Sequence, residues 1–293
     1  MSDYILSCCS TADLTPEHFI KRDILVVPFH FELEGKQYID GDSLPINDFY
    51  KAMENGAMTK TSQVNSEEYV DKFAPILESG KDIIHLTLSS GISGTINSAN
   101  IAALELRERF PDRKIYIIDS LAASSGYGLL MDTLADLRDR GLSIEELAAW
   151  AEEHKLEVNH WFFTTDLTYL VRGGRVSKAA GVVGGALKIC PLLNVDNCGK
   201  LIAREKLRGK NAVIKATAKK MVENADGGSA YDGKCYISQS ACMDDAKELV
   251  EAIEELIPAM KGRVKIFDIG TTIGSHTGPG TIALFFWGHK RVD

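Results

Sequence analysis

The 293-residue chain contains no apolar run near the ~20 residues needed to cross a bilayer as a helix. Its first residues, Met-Ser-Asp-Tyr-Ile-Leu, lack the basic start and apolar stretch of a secretory signal, which predicts a cytoplasmic protein. Six cysteines (Cys8, Cys9, Cys190, Cys198, Cys235 and Cys242) form no C-x-x-C pair, and the seven histidines form no H-E-x-x-H. Metal binding therefore has no support, and the thiols are expected to be reduced, small apolar residues. No G-x-x-x-x-G-K-S/T loop occurs, and the one match to G-x-G-x-x-A, Gly278 to Ala283, precedes the last predicted strand instead of following the first. Positive charge is also short, 33 Lys and Arg against 41 Asp and Glu for a net −8. That balance argues against general binding to nucleic acid or anionic membrane.

What positive charge there is lies unevenly. From Leu167 to Lys210 there are nine basic residues (Arg172, Arg175, Lys178, Lys188, Lys200, Arg204, Lys206, Arg208 and Lys210) and only Asp196 and Glu205 to oppose them. Such a window is either a solvated basic face or a docking surface for an acidic or phosphate-bearing partner.

The length and ordinary globular composition allow two packed domains. The first half alternates strand and helix patterns. Tyr4 to Cys8, Ile24 to Phe31, Asp82 to Leu88 and Lys114 to Asp119 read as strands. Helices are predicted after Thr15-Pro16, at Ser43 to Asn55, Ser66 to Glu78, Gly94 to Phe110, Gly126 to Arg140 and Ser143 to Lys155, with Ser66 and Ser143 as caps. This alternation predicts a parallel sheet covered by helices.

The second half reads differently. His160 to Thr165, Lys234 to Ser238, Val264 to Ile269 and Ile282 to Trp287 are strand-like. Asp196-Asn197-Cys198-Gly199 joins Pro191 to Val195 and Lys200 to Lys206 as a hairpin. Helices are expected over Lys178 to Ile189, Lys210 to Asn224 and Asp244 to Leu256. We therefore expect an α/β protein of two domains, a parallel-sheet α/β domain over 1–157 and an α+β or mixed-sheet domain over 158–293.

Three uncharged clusters carry the chemistry: Thr61-Ser62-Gln63, Ser89-Ser90-Gly91-Ile92-Ser93-Gly94-Thr95, and Gly274-Ser275-His276-Thr277-Gly278-Pro279-Gly280-Thr281. The second falls where a predicted strand gives way to a helix. The first amides of a helix lack internal partners and carry partial positive charge, so they attract anions. Neutral donors on glycine-rich backbone suit holding a small anionic group such as a carboxylate. The bland alternatives are an N-cap for Ser93, another cap for Thr61 and Ser62, and a structural histidine at His276 in a loop.

In order along the chain these clusters, with Asp119-Ser120, Arg172-Gly173-Gly174-Arg175, Ser177, the opening Ser10-Thr11-Ala12-Asp13-Leu14 and Val27-Pro28-Phe29, resemble the DegV family of fatty-acid-binding proteins. The resemblance covers nearly the whole chain, a single unit spanning about 3–290. It implies a long-chain fatty acid, such as palmitate or oleate, buried between the two domains. It also implies a carboxylate held at Thr61 and Ser93, with Ser62, Gly94 and His276 close by. It further implies a non-catalytic carrier that presents its passenger to an ATP-dependent fatty acid kinase, which makes the acyl phosphate, with Arg172 serving that encounter. Cys9 and Cys190 depart from the family pattern, standing where Asp and Lys are common, which bears on the surrounding polar network.

The energetics suit such a ligand. About 14 buried methylenes at roughly 0.8 kcal/mol each give a gross gain near 11 kcal/mol, before ordering costs. The tail would supply affinity and the head group orientation. Candidate tail-lining residues are Phe29, Ile92, Ile96, Phe163, Val182, Val183 and Phe285. The rival reading is a serine hydrolase, since Ser93, Asp119 and His276 occur in the Ser…Asp…His order. Against it, Gly91-Ile92-Ser93-Gly94-Thr95 breaks the G-x-S-x-G elbow at its last position.

Overall fold

The computed structural model describes residues 3–177 and 189–292. The helix expected over 178–189, with Val182 and Val183, lies outside them except for Ile189, which begins a strand. The strands of the first half are β1 (Tyr4–Cys9), β2 (Ile24–Val27), β3 (His30–Leu33), β4 (Lys36–Ile39), β5 (Thr59–Ser62), β6 (Asp82–Thr87) and β7 (Ile115–Asp119). Four of them form the expected parallel sheet, in the order β2-β1-β6-β7. The helices between are α1 (Pro16–Lys21), α2 (Ile46–Glu54), α3 (Ser66–Glu78), α4 (Thr95–Arg109), α5 (Ser124–Asp139) and α6 (Ile144–His154).

The segment expected as one strand from Ile24 to Phe31 divides in two. Pro28 has no N–H to donate to a ladder, and the Phe29 amide turns to the Ser10 hydroxyl at 3.0 Å. β3 then enters a separate antiparallel sheet of order β4-β3-β5. Helix α3 opens at Asn65 and not at Ser66. Asn65 accepts from the Glu68 amide and Glu68 accepts from the Asn65 amide, a reciprocal capping box. Ser143 caps α6 in the same way, as expected.

The second half builds a mixed six-stranded sheet from β8 (Val158–Thr164), β9 (Ile189–Val195), β10 (Leu201–Arg208), β11 (Cys235–Gln239), β12 (Val264–Asp268) and β13 (Thr281–Trp287). Its order is β10-β9-β8-β13-β11-β12, with only β11 and β12 parallel. The predicted hairpin is present: Asp196 Oδ1 accepts from the amides of Cys198 at 2.9 Å and Lys200 at 2.8 Å. The helices here are α7 (Thr168–Arg172), α8 (Lys210–Asn224), α9 (Met243–Leu256) and α10 (Thr271–Thr277).

Each face of this larger sheet has its own core. Trp161, Phe163, Leu192 and Phe286 pack with Val213 and Leu249 of α8 and α9. On the opposite face Phe162, Ala283 and Phe285 join a core that runs through α5 into β1 and β6. The two sheets thus sit on either side of α5, while α10 crosses back to contact α2, β3 and β5. The six cysteines are unpaired. Among the described residues no helix is long and apolar enough to cross a membrane.

Candidate ligand site between the two sheets

Thr61 faces Phe31 across the β5–β3 ladder and is half-buried, whereas its neighbour Ser62 is exposed. Alternation along a strand explains the difference. Both belong to a strand, so neither caps the following helix. The Thr61 hydroxyl lies 2.8 Å from His276 Nε2, joining positions 215 residues apart. His276 sits in the last turn of α10, not in the loop its glycines suggested. A Cβ placed on Gly173 would fall 2.3 Å from His276 Nδ1, so the bare backbone after α7 lets the imidazole close on it. Burial, and then the nearby Arg175 guanidinium, pushes the His276 pKa down to about 4. The ring is therefore neutral at physiological pH.

Ser93 occupies the loop between β6 and α4 and accepts from the Thr95 amide at 3.3 Å. Gly94, not Ser93, holds the cap position of α4. A Cβ on Gly94 would lie 3.0 Å from Gln63 Oε1, which places the first two hydroxyl clusters side by side. Nearby, Ser89 donates to the Gly199 carbonyl at 2.8 Å, and a Cβ on Gly91 would fall 2.5 Å from Gly199. The hairpin tip of the larger sheet is thereby pressed onto this loop.

Thr61, Ser93 and His276 line one cavity of about 750 Å³, counting its open mouth. Its walls come from both halves of the chain and are mainly apolar, with Phe29, Leu88, Ile92, Phe162, Leu170, Ile269, Ile273 and Phe285 among them. Of the expected tail-lining residues, Phe29, Ile92 and Phe285 are on the wall. Ile96 is not, and Phe163 points into the α8–α9 core on the opposite face of β8. Ser62 and Gly94 adjoin the lining residues in sequence without lining the cavity themselves.

The sequence reading assigned no role to Arg175, yet it lines the cavity and donates to the Ile92 carbonyl at 3.2 Å. Two arginines flank Gly173-Gly174, and only the packing distinguishes the inward one from the outward one. Arg172 is exposed, with its guanidinium 5.4 Å from the Tyr169 ring centre and one nitrogen 3.1 Å from Met58 Sδ. Beyond it, Arg204, Lys206 and Arg208 are exposed along edge strand β10.

The hydrolase triad is not assembled. The Asp119 carboxylate accepts from the amides of Ser90 at 3.1 Å and Leu121 at 3.0 Å, while His276 Nε2 pairs with Thr61. What the arrangement provides is neutral donors and one guanidinium on the wall of an apolar cleft. That set can hold an anionic head group attached to a long hydrocarbon.

The two departures from the family pattern are both buried. Cys9 Sγ lies 3.2 Å from the Tyr69 hydroxyl, which is in turn 3.0 Å from Thr95 Oγ1. Burial pushes the Cys9 thiol up to about 11, so an uncharged group occupies this node.

The profile described as "Uncharacterised protein, DegV family" matches residues 9–288. A DegV domain-containing protein of Clostridium perfringens is 36% identical, over 99% of both chains. A fatty acid-binding protein of Thermotoga maritima is 32% identical over 93% of both. Among solved structures, the Fatty Acid Kinase (Fak) B3 protein of Streptococcus pneumoniae, loaded with linoleic acid, superposes with a TM-score of 0.85. It is 25% identical, with 99% of this chain and 100% of that one covered. By its sequence and by its pair of sheets, the chain belongs to the DegV family.

Proposed function

We propose that the protein binds one long-chain fatty acid in the cavity between its sheets and presents it to an ATP-dependent fatty acid kinase. The observation that carries this reading is the gathering of Thr61, Ser93, His276 and Arg175 on the wall of a cleft otherwise lined by hydrocarbon. Thr61 and Ser93 hold the carboxylate, aided by the first amides of α4 at Gly94 and by the neutral His276. Ser62 acts through its backbone beside Thr61. Arg175 supplies the single counter-charge, and the tail lies along Phe29, Ile92, Phe162 and Phe285. The fatty acid-binding and linoleate-loaded relatives support the ligand class.

The carrier role rests on Arg172 and on the likeness to the Fak B3 protein. Arg172 directly precedes Gly173, which touches His276. An approaching partner that grips Arg172 therefore meets the head-group end of the cleft. We assign the chain's own residues to binding and presentation, and phosphoryl transfer to the kinase. The lobes correspond to 1–157 and 158–293.

Mass spectrometry of an organic extract of the purified, denatured protein tests the reading. One long-chain fatty acid per chain is expected. An extract free of acyl species, from protein that also fails to bind added stearate, would refute it.

A further inference from the structure

His160 on β8 has no part in the head-group cluster, yet it lines the same cavity. It is 2% exposed. Its Nδ1 lies 2.9 Å from the carbonyl of Val158, an oxygen that can only accept. The ring proton is therefore on Nδ1, and Nε2 presents a lone pair. That lone pair is buried with no hydrogen-bond partner among the described residues. Burial, and then the charge of Arg291, keeps the ring from taking a second proton. An acceptor left bare in hydrocarbon is costly, and such groups in folded proteins ordinarily find a donor.

The surroundings narrow the choice of donor. The Phe285 ring meets the imidazole edge-on at 5.2 Å, and a Cβ on Gly126 would fall 2.4 Å from Nε2. Phe162 and Ala283 line the same stretch of wall. The nearby hydroxyl of Ser124 already donates to Asp13 at 2.5 Å. A water needs two to four polar partners to be held, and these neighbours offer few. Two further wall hydroxyls, Thr272 Oγ1 and Thr277 Oγ1, are also buried without a partner. A plain alkyl tail would leave all three unsatisfied.

We propose that the cavity selects an acyl chain bearing a hydroxyl group, with His160 Nε2 accepting the hydrogen bond from that hydroxyl. The preferred ligand is a hydroxy fatty acid, and His160 is the residue that distinguishes it from its unsubstituted counterpart. This rests on the fatty-acid reading above and deepens it. Because the bond forms inside the cavity, it is sensitive to where along the chain the hydroxyl sits. One positional isomer should stand out from the others.

The test uses delipidated full-length protein titrated with stearate and with the positional isomers of monohydroxystearate. At least one isomer should bind about tenfold more tightly than stearate, a difference of 1.4 kcal/mol. In His160→Phe the ratio of the favoured isomer's affinity to that of stearate should fall to about one. A measurement on the unsubstituted protein guards against misfolding of the variant: the ¹⁵N resonance of His160 Nε2 should move on adding the favoured isomer and not on adding stearate. Stearate binding with no isomer preferred, a preference that survives in His160→Phe, or an unmoved Nε2 resonance would each overturn the proposal alone. Failure of stearate and every isomer to bind would overturn the fatty-acid reading together with it.

Discussion

Thr61 and His276 meet through a 2.8 Å contact that ties the small β4-β3-β5 sheet to helix α10, across 215 residues of chain. The cluster proposed to hold the head group is thus made by tertiary packing, with neither partner able to form it from its own local sequence. In the proposed site both groups are neutral donors toward a carboxylate, and each should be separable from the stability of the fold. Thr61→Val and Ser93→Ala should retain lipid less well, by roughly ten- to a hundredfold in Kd, the value of a charge-assisted hydrogen bond. Neither is fully buried, so the melting temperature should change little. Retention equal to the parent would put the carboxylate elsewhere.

Acid should affect the fold and the ligand differently. His276 titrates near 4 instead of its ordinary 6.5, so its unfolded form binds more protons between those values. Stability contributed by the neutral ring is therefore complete above pH 6.5 and is lost as pH falls through about 4. Asp13, whose pKa is raised by burial and then by Asp40, slopes the other way. Comparing His276→Asn with the parent isolates the histidine: the variant's melting temperature should fall less steeply between pH 6.5 and 4. Fatty acid affinity in the parent should stay flat down to about pH 5, since the ring gains no charge there. A break near pH 6.5 in a fluorescence titration would mean that the imidazolium is the binding form.

Arg172 lies outside the cavity and Arg175 on its wall. Arg172→Ala should leave lipid content and melting temperature unchanged while abolishing acyl phosphate formation with the proposed partner kinase. Arg175→Ala should instead weaken fatty acid binding directly. Unaltered acyl phosphate production by Arg172→Ala would remove that residue from the encounter.

Two adjacent glycines should respond to alanine for different reasons. At Gly173 a methyl group meets His276 Nδ1 at 2.3 Å, so Gly173→Ala should displace the imidazole and weaken binding at least tenfold. Gly174 has φ +72° with nothing within 4 Å of its would-be Cβ. There the substitution should cost only about 1–2 kcal/mol of backbone strain and leave affinity intact. Paired calorimetric melts and binding isotherms separate the two.

Phe162 and Phe163 make a similar pair on β8. Phe163→Ala empties part of the α8–α9 core and should cost roughly 3–5 kcal/mol without changing the affinity of the folded fraction. Phe162→Ala also destabilises, but it widens the ligand cavity and should lower affinity as well. Equal affinities for both variants would place the tail away from β8.

That pair also shows where sequence reading stops. The strand was legible, as were the parallel sheet, the Asp196–Gly199 hairpin and helix α8, because each has its own period, cap or turn residues. Which of two adjacent phenylalanines points to the cavity depends on strand register. The α8–α9 packing that fixes it leaves no mark near residue 160. Helix α10 was read as a loop since Gly274, Ser275 and Thr277 are poor helix formers. Tertiary contacts override that preference: Tyr50 reaches the Ile269 carbonyl at 2.6 Å, and Asp40 accepts from the Thr271 hydroxyl at 2.6 Å. Strand β5, Thr-Lys-Thr-Ser, lacks the apolar alternation that would announce it. Of the candidate site residues, the uncharged clusters were visible as composition, while Arg175 and His160 became visible only through what they face.

The position of β13 sets an order on maturation. It is inserted between β8 and β11, and its Thr281, Ala283 and Phe285 form part of the cavity wall. Until residue 287 has emerged from the ribosome, the larger sheet has a gap through its middle and the cleft lacks one side. A nascent chain therefore lacks a complete cleft. Any ligand of this cleft must therefore bind after β13 has joined the sheet, and a product truncated before β13 would offer proteases and chaperones an open hydrophobic seam.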